Sequence, residues 1–218
     1  MEKIAVVSGG CRGIGKEICD YLKSNGWIVH TFCRTHDGVD VRNYKQVKDW
    51  VDKTLEGKRI QLIVNNAGTC KPCLLRNMVE KDWKLMVEVN LYGVFNLTHI
   101  CLPYLEDGGN IISLSSVAAK LGNHGMTAYS ASKAGVEAFT KCLSKELAKN
   151  KIRVNAIAPA VISTEMLLAG KTKYTDAIVE ATPLKRMGTP EEVVQAVDFL
   201  LKATYVTGGI IDVNGGLF

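Results

Sequence analysis

Residues Lys3 to Gly15 read KIAVVSGGCRGIG, and their reading decides the fold. The first part, KIAVVS, is a short apolar run ending at glycines, as a buried strand does. From Gly13 onward Ile14, Ile18, Tyr21 and Leu22 recur at helical spacing, and Asn25-Gly26 ends the helix. Between strand and helix Gly9, Gly13 and Gly15 are spaced G-x-x-x-G-x-G. Glycine permits a sharp turn and lets a phosphate approach the backbone. A helix starting at Gly13 points its free N–H groups and positive dipole end at that phosphate. A glycine-rich turn without a ligand is the plainer reading. The position between the first strand and first helix of a βαβ unit favours the phosphate.

Outward from this turn, strands and helices alternate. WIVHTF reads as a second strand, and NYKQVKDWVDKTL as a helix with Val47, Trp50, Val51 and Leu55 on one face. IQLIVNNAG is a strand running into a polar turn, followed by a helical stretch from about Glu80 to Tyr104, bent before Pro103. GNIISLSS is a strand, TAYSASKAGVEAFTKCLSKELAKN a long helix, and IRVNAIAP a strand stopped by Pro159. A less regular stretch runs to Thr189, an N-cap with Pro190 at the first helical position. GGIIDVNGG closes as the last strand. Strands separated by helices imply right-handed crossovers and a parallel sheet. The expected fold is α/β: one domain over residues 1–218, a Rossmann-type doubly wound parallel sheet with helices on both faces. Ligands bind such sheets at the carboxyl ends of the strands. Here those are the turns after Ser8, Phe32, Val64, Leu114 and Ile157.

The chain of 218 residues is 47% hydrophobic and 22% charged, an ordinary globular balance. Its net charge of +5 comes without a dense Lys/Arg block, which disfavours nucleic acid and suits an acidic or phosphorylated ligand. No apolar run approaches membrane-spanning length, and MEKIAVVSGG lacks a secretory pattern, so the expected compartment is the cytoplasm. The seven cysteines, an odd count, argue for reduced thiols. Cys70 and Cys73 in CKPC have redox or zinc spacing. No second pair completes a zinc site, so no metal is expected, and an accidental pair in a loop competes with a redox pair.

SGGCRGIG resembles the T-G-x-x-x-G-x-G signature of the short-chain dehydrogenase/reductase family, with Ser8 for the usual Thr. The resemblance covers nearly the whole chain. NNAG, ending in Asn66, Ala67 and Gly68, matches the motif that supports the adenine and ribose side. Asn90 in VEVNLYGVF matches the family's structural and proton-relay Asn. Ser116 lies thirteen residues before Tyr129, and YSASK matches Y-x-x-x-K through Tyr129 and Lys133. VNAIAPAVISTEM looks like the segment bordering the nicotinamide, through Pro159, Ile162 and Thr164. Ala160 stands where relatives usually have Gly. The resemblance thus implies Asn90, Ser116, Tyr129 and Lys133 as catalytic residues. It implies cofactor contacts from the turn residues Ser8, Gly9, Gly10, Cys11, Arg12, Gly13, Ile14 and Gly15.

Each role has a physical reason. Tyr129 and Lys133, just over one helical turn apart, can share a face. A free phenol has a pKa near ~10, and a nearby ammonium favours phenolate and lowers it. Tyr129 is then the general acid and Ser116 steadies the carbonyl oxygen, while Asn90 positions a water that refills the proton through Lys133. A Tyr and a Lys on a helix surface would be the default in an unrelated chain. After the second strand, NAD-preferring relatives usually carry an acidic residue where Cys33 stands. Here Cys33 is followed by Arg34, with Arg12 as a second cation, so NADP(H) is expected. The family normally places a helix next. RTHDGVDVRN is too short for one, and Asp40 and Val41 look like the pair flanking the adenine.

Within the family the chain is most similar to 3-oxoacyl-acyl-carrier-protein reductases, along NNAGTCKPCLLRNMVEKDWKLMVEVNLYGVF and PLKRMGTPEEVVQAVDFLL. That implies a 3-oxoacyl thioester substrate on acyl carrier protein, an acidic partner that a basic rim could steer. Rim candidates are Arg76, Lys84, Arg153, Lys171, Lys173 and Lys185, each also readable as ordinary solvated charge. Leu167 to Pro183 should form a substrate lid. Reductases of polyketides, steroids, sugars and small ketones share these motifs. A non-catalytic cofactor-binding regulator and a disulfide oxidoreductase acting through Cys70 and Cys73 are the other classes. The resemblance also implies a homotetramer, with a dimer next.

Overall fold

The computed structural model describes residues 2–165, 167 and 173–218. Its strands are β1 (Lys3–Ser8), β2 (Trp27–Phe32), β3 (Ile60–Asn65), β4 (Leu105–Leu114), β5 (Arg153–Pro159) and β6 (Ile210–Val213). They pair in parallel throughout, in the order β2-β1-β3-β4-β5-β6. The chain leaves β1 toward one edge to build β2, then crosses back to build β3 on the other side. This reversal opens a crevice between the carboxyl ends of β1 and β3. Register sets Ser8 opposite Asn65 across it, with Phe32 on the other side of Ser8.

Side chains along β1 alternate between two cores, as a two-residue period dictates. Ala5 and Val7 face one layer, where α1 (Gly13–Ser24) contributes Ile18 and Leu22 and α8 (Pro190–Lys202) contributes Val193, Val197 and Leu200. Ile4 and Val6 face the other, with Val47 and Val51 of α2 (Tyr44–Thr54) and Leu97 and Ile100 of α4 (Gly93–Cys101). Each fully buried aliphatic side chain contributes about 1.5–3 kcal/mol. Phe32 packs its ring 4.7 Å from that of Trp50, which ties the end of edge strand β2 to α2.

The helical run from α3 (Glu80–Val87) to α4 contains a π turn over Glu88–Tyr92 and closes in a 3-10 turn, Leu102–Tyr104, around Pro103. By length and composition this run is apolar enough to cross a bilayer, which the sequence reading did not anticipate; half of its apolar window is buried within the fold. A short α5 (Ala118–Leu121) precedes α6 (Thr127–Glu146). Lys173–Ala181 forms a helix, α7, where an irregular stretch was expected. Residues 33–43 contain neither helix nor strand, in keeping with a link too short for one.

Candidate active site

The glycine turn and the NNAG turn are laced together. Ser8 Oγ accepts from the backbone N–H of Asn66 (3.2 Å) and Ala67 (3.1 Å), while Asn66 Nδ2 donates to the carbonyls of Ser8 (3.0 Å) and Gly9 (2.9 Å). Gly9 and Gly13 have φ of +70° and +53°, the left-handed region that favours glycine. Gly15 is required for a different reason: a Cβ there would lie 2.2 Å from Asn66 Nδ2 and 2.3 Å from the Gly9 carbonyl oxygen. The N–H of Gly10 donates to Thr31 Oγ1 (3.1 Å), which fixes the turn to β2. Helix α1 starts at Gly13 with no side-chain cap, so its first-turn N–H groups are available to an anion. Thr164 stands over this cradle, its Cγ2 3.3 Å from where a Gly13 Cβ would be. Ile14 packs into the core beneath. Ile162 is buried against Gly188, and the Pro159 carbonyl accepts from Val117 N–H (3.0 Å).

At the end of β2 the structure departs from expectation. Cys11 and Cys33 are joined in a disulfide, with Cα atoms 6.4 Å apart, where reduced thiols were anticipated. Parallel pairing is the cause: Ser8 and Phe32 are register partners, so the residues beyond each strand emerge side by side. Arg12 and Arg34, each directly following one of these cysteines, are exposed. The Asp40 carboxylate is gripped by Arg42, whose Nη2 donates to Oδ2 at 2.7 Å, and this pairing holds its pKa below the usual range. The Val41 side chain is buried in the core against Gly93. What Asp40 and Val41 have free to offer a ligand is largely backbone.

Beyond β4, Ser116 and the first turns of α6 converge. Lys133 is 4% exposed; its Nζ donates to the Leu114 carbonyl (2.6 Å) and lies 5.8 Å from the Tyr129 ring centroid. Burial pushes the Tyr129 phenol up to about 12, Cys70 adds to the rise, and a hydrogen bond from Ser116 opposes it. Burial lowers Lys133 to about 8. The direction is opposite to the anticipated fall: desolvation of the phenolate sets it, and Lys133 does not figure among the groups that shift it.

Asn90 is wholly buried in the π turn. Its Oδ1 accepts from Thr69 N–H (2.8 Å), and its Nδ2 donates to the Thr69 carbonyl (2.9 Å) and to Ser132 Oγ (3.0 Å). Ser132 Oγ donates in turn to the Tyr129 carbonyl (2.7 Å). Asn90 thereby couples the turn after β3 to the helix carrying Tyr129. Gly68 lies between: a Cβ there would be 3.4 Å from Asn90 Oδ1 and 3.7 Å from Lys133 Nζ. Sequence reasoning missed Thr69, Ser132 and Thr31 as supports. Only a polar residue beside each motif could have signalled them.

Cys70 and Cys73 are unpaired. Desolvation pushes the Cys70 thiol up to about 11, the opposite of a reactive redox thiolate. Among the rim candidates, Arg153 caps the carbonyls of Leu200, Leu201 and Ala203 at the end of α8 and is a structural group. Lys84 pairs with Glu80 and Lys185 with Glu180, while Arg76 is exposed. Lys171 and the Lys173 side chain lie outside what is described, as do residues 168–172 of the expected lid.

Residues 9–218 match the family model described as enoyl-(acyl carrier protein) reductase. The chain is 37% identical to a 3-oxoacyl-[acyl-carrier-protein] reductase of Thermotoga maritima, covering 99% of this chain and 97% of that protein. It is 35% identical to an acetoacetyl-CoA reductase of Rhizobium meliloti, over 100% and 99%. A solved small-chain dehydrogenase in complex with NADPH superimposes with a TM-score of 0.90 at 28% identity, over 100% of this chain and 99% of that one.

Proposed function

This chain belongs to the short-chain dehydrogenase/reductase family, and from that premise we propose that it is an NADPH-dependent ketoreductase of 3-oxoacyl thioesters. Its product would be the 3-hydroxyacyl form, and its carrier acyl carrier protein. The observation that carries the reading is buried Lys133, its Nζ 5.8 Å from the Tyr129 ring centroid and bonded to the Leu114 carbonyl, with Ser116 close enough to act on the phenol, at the strand ends that hold the glycine cradle. The thioester class is supported by the names of the relatives, which divide between carrier protein and coenzyme A.

The residues present fit a dinucleotide. The glycine turn keeps its backbone bare at Gly9 and Gly13, the N-terminus of α1 is uncapped, and Thr164 stands over the turn. NADP(H) is favoured over NAD(H) because position 33 carries no carboxylate while Arg12 and Arg34 are exposed nearby. When bound, the nicotinamide supplies the hydride. Ser116 donates a hydrogen bond to the substrate carbonyl oxygen, whose charge grows as the bond order falls. Tyr129 gives that oxygen its hydroxyl proton. Lys133 steadies the phenolate that remains and would hold ribose hydroxyls. We infer that the proton is replaced past Gly68, where Asn90 Oδ1 and Lys133 Nζ approach one point.

The test is a panel of ketones with NADPH, assayed on the reduced protein. Acetoacetyl thioesters of acyl carrier protein, coenzyme A and a bare pantetheine arm are compared with polyketide, steroid, sugar and small ketones. The thioesters should give the highest kcat/KM, with the carrier-protein form first. Preference for a non-thioester ketone, or for NADH, would overturn the corresponding half of the proposal.

Self-association belongs to the same proposal. Tyr92 is 50% and Phe95 36% exposed on the α3–α4 run, with ring centroids 5.6 Å apart. A homotetramer burying this face should sediment at four times the chain mass, and a monomer would remove the inference.

A further inference from the structure

The Cys11–Cys33 bond lies where the cofactor reading needs open space. The glycine turn is the place for the pyrophosphate, and the residue after β2, about 20 positions on, is the place that reads the adenosine ribose. Cys11 belongs to the first and Cys33 to the second. A bond between them spans the gap that the adenosine end of a dinucleotide must occupy. Their approach does not depend on the bond itself. Gly9 N–H donates to the Phe32 carbonyl (2.8 Å), Gly10 N–H to Thr31 Oγ1 (3.1 Å), and Thr31 Oγ1 to the Val7 carbonyl (2.8 Å). Two of these bonds hold the turn to β2 and the third fixes Thr31 Oγ1 on β1, so the two cysteines stay within reach in either redox state.

Polar groups surround the pair, the Asp37 carboxylate among them, whose Oδ2 accepts from the Cys33 N–H (2.8 Å). His36 Nδ1 is 3.1 Å from Cys33 Sγ, Thr35 Oγ1 is 3.4 Å from it, and Arg34 follows directly. Cys11 lies two residues before the N-terminus of α1, whose dipole stabilises negative charge.

We propose that Cys11 and Cys33 form an oxidation site for peroxide at the adenosine end of the cofactor cleft, and that its closure weakens NADP(H) binding. The inference rests on the cofactor reading above. The Cys33 thiolate attacks one oxygen of hydrogen peroxide, the O–O bond breaks, and the product is a sulfenic acid with hydroxide, which is protonated to water. The Cys11 thiolate then attacks the Cys33 sulfur, the S–S bond forms, and the sulfenic oxygen leaves as a second water. Two thiols lose two electrons in all, and the peroxide gains them. A dithiol reverses the closure by exchange.

The test uses the full chain, reduced with dithiothreitol and then oxidised with hydrogen peroxide. Peptide mass mapping locates the bond, and the fluorescence of bound NADPH gives Kd in both states. The oxidised protein should carry a Cys11–Cys33 linkage. It should bind NADPH roughly tenfold or more weakly, the loss expected from one charge-assisted contact, and recover with dithiothreitol. In Cys11→Ser, whatever its own affinity, peroxide should leave Kd unchanged. Equal affinity in a mapped, bonded protein overturns the proposal and leaves the cofactor reading intact. Failure of the bond to form, or one equivalent of zinc held by Cys11, Cys33 and His36 in the reduced protein, overturns it as well. No NADPH binding in the reduced protein removes the cofactor reading, and this inference with it.

Discussion

The Tyr129→Phe variant is expected to lose about two to four orders of magnitude in kcat for ketone reduction while still binding NADPH. The ring stays in place, so the packing of α6 against the sheet is kept; only the hydroxyl is removed. In the proposed chemistry that hydroxyl is the one that gives up its proton to the substrate oxygen, while Ser116 only hydrogen-bonds it, and water reaching the same point is a poor substitute. The pH dependence carries a sign of its own. Tyr129, pushed up to about 12, keeps its proton throughout the neutral range and is poised to donate rather than to accept. Lys133, brought down to about 8, loses its charge first. For the free enzyme, kcat/KM for reduction should be level below that value and fall above it, as the ammonium that steadies the developing phenolate disappears. Near-normal turnover in Tyr129→Phe would sink the assignment of the acid. A profile level to about pH 10, where a free lysine titrates, would remove Lys133 from the step.

How much of this was legible in the sequence depends on the range of the interaction. The alternation of strands and helices, the glycine turn and the Tyr129–Lys133 spacing are local patterns, and each appears where its periodicity put it. Contacts made by sheet register were not legible. Cys11 and Cys33 are separated by 22 positions, and nothing local to either marks the other. They meet because β1 and β2 run parallel with Ser8 beside Phe32. The CKPC pair, the one with a local pattern, is the pair that stays apart. Arg153 read as a surface cation because its partners are three carbonyls at the end of α8, a distant helix terminus with no sequence signature. The π turn around Asn90 has the composition of ordinary helix. Charge balance at Tyr129 differs from expectation for a related reason: spacing shows that an ammonium is near, but not that Lys133 is buried and bonded to the Leu114 carbonyl.

Gly15→Ala is the second large effect, and its sign is the informative part. Within a helix this exchange normally stabilises, by about 1 kcal/mol. Here the added methyl would sit 2.2 Å from Asn66 Nδ2 and 2.3 Å from the Gly9 carbonyl oxygen. The first neighbour can swing away only by giving up its bonds to the carbonyls of Ser8 and Gly9. The second is backbone, in a turn anchored to β2, and moves only if the turn does. Overpacking costs about 1–3 kcal/mol and two lost hydrogen bonds about 1 kcal/mol each, so after the helix gain of about 1 kcal/mol a net destabilisation of roughly 2–4 kcal/mol is expected. In a chain of this size that is a fall of roughly 5–15 °C in Tm. Because Gly9, Gly13 and the first turn of α1 shift together, NADPH affinity should fall with stability. Gly57→Ala separates the two consequences: its φ of +68° makes a side chain strained, but no atom lies within 4 Å of the new Cβ. That variant should lose about 1 kcal/mol and bind NADPH as the wild type does. Wild-type melting and affinity in Gly15→Ala would mean that the turn tolerates a side chain where its geometry leaves no room, and the cradle would have to be redrawn.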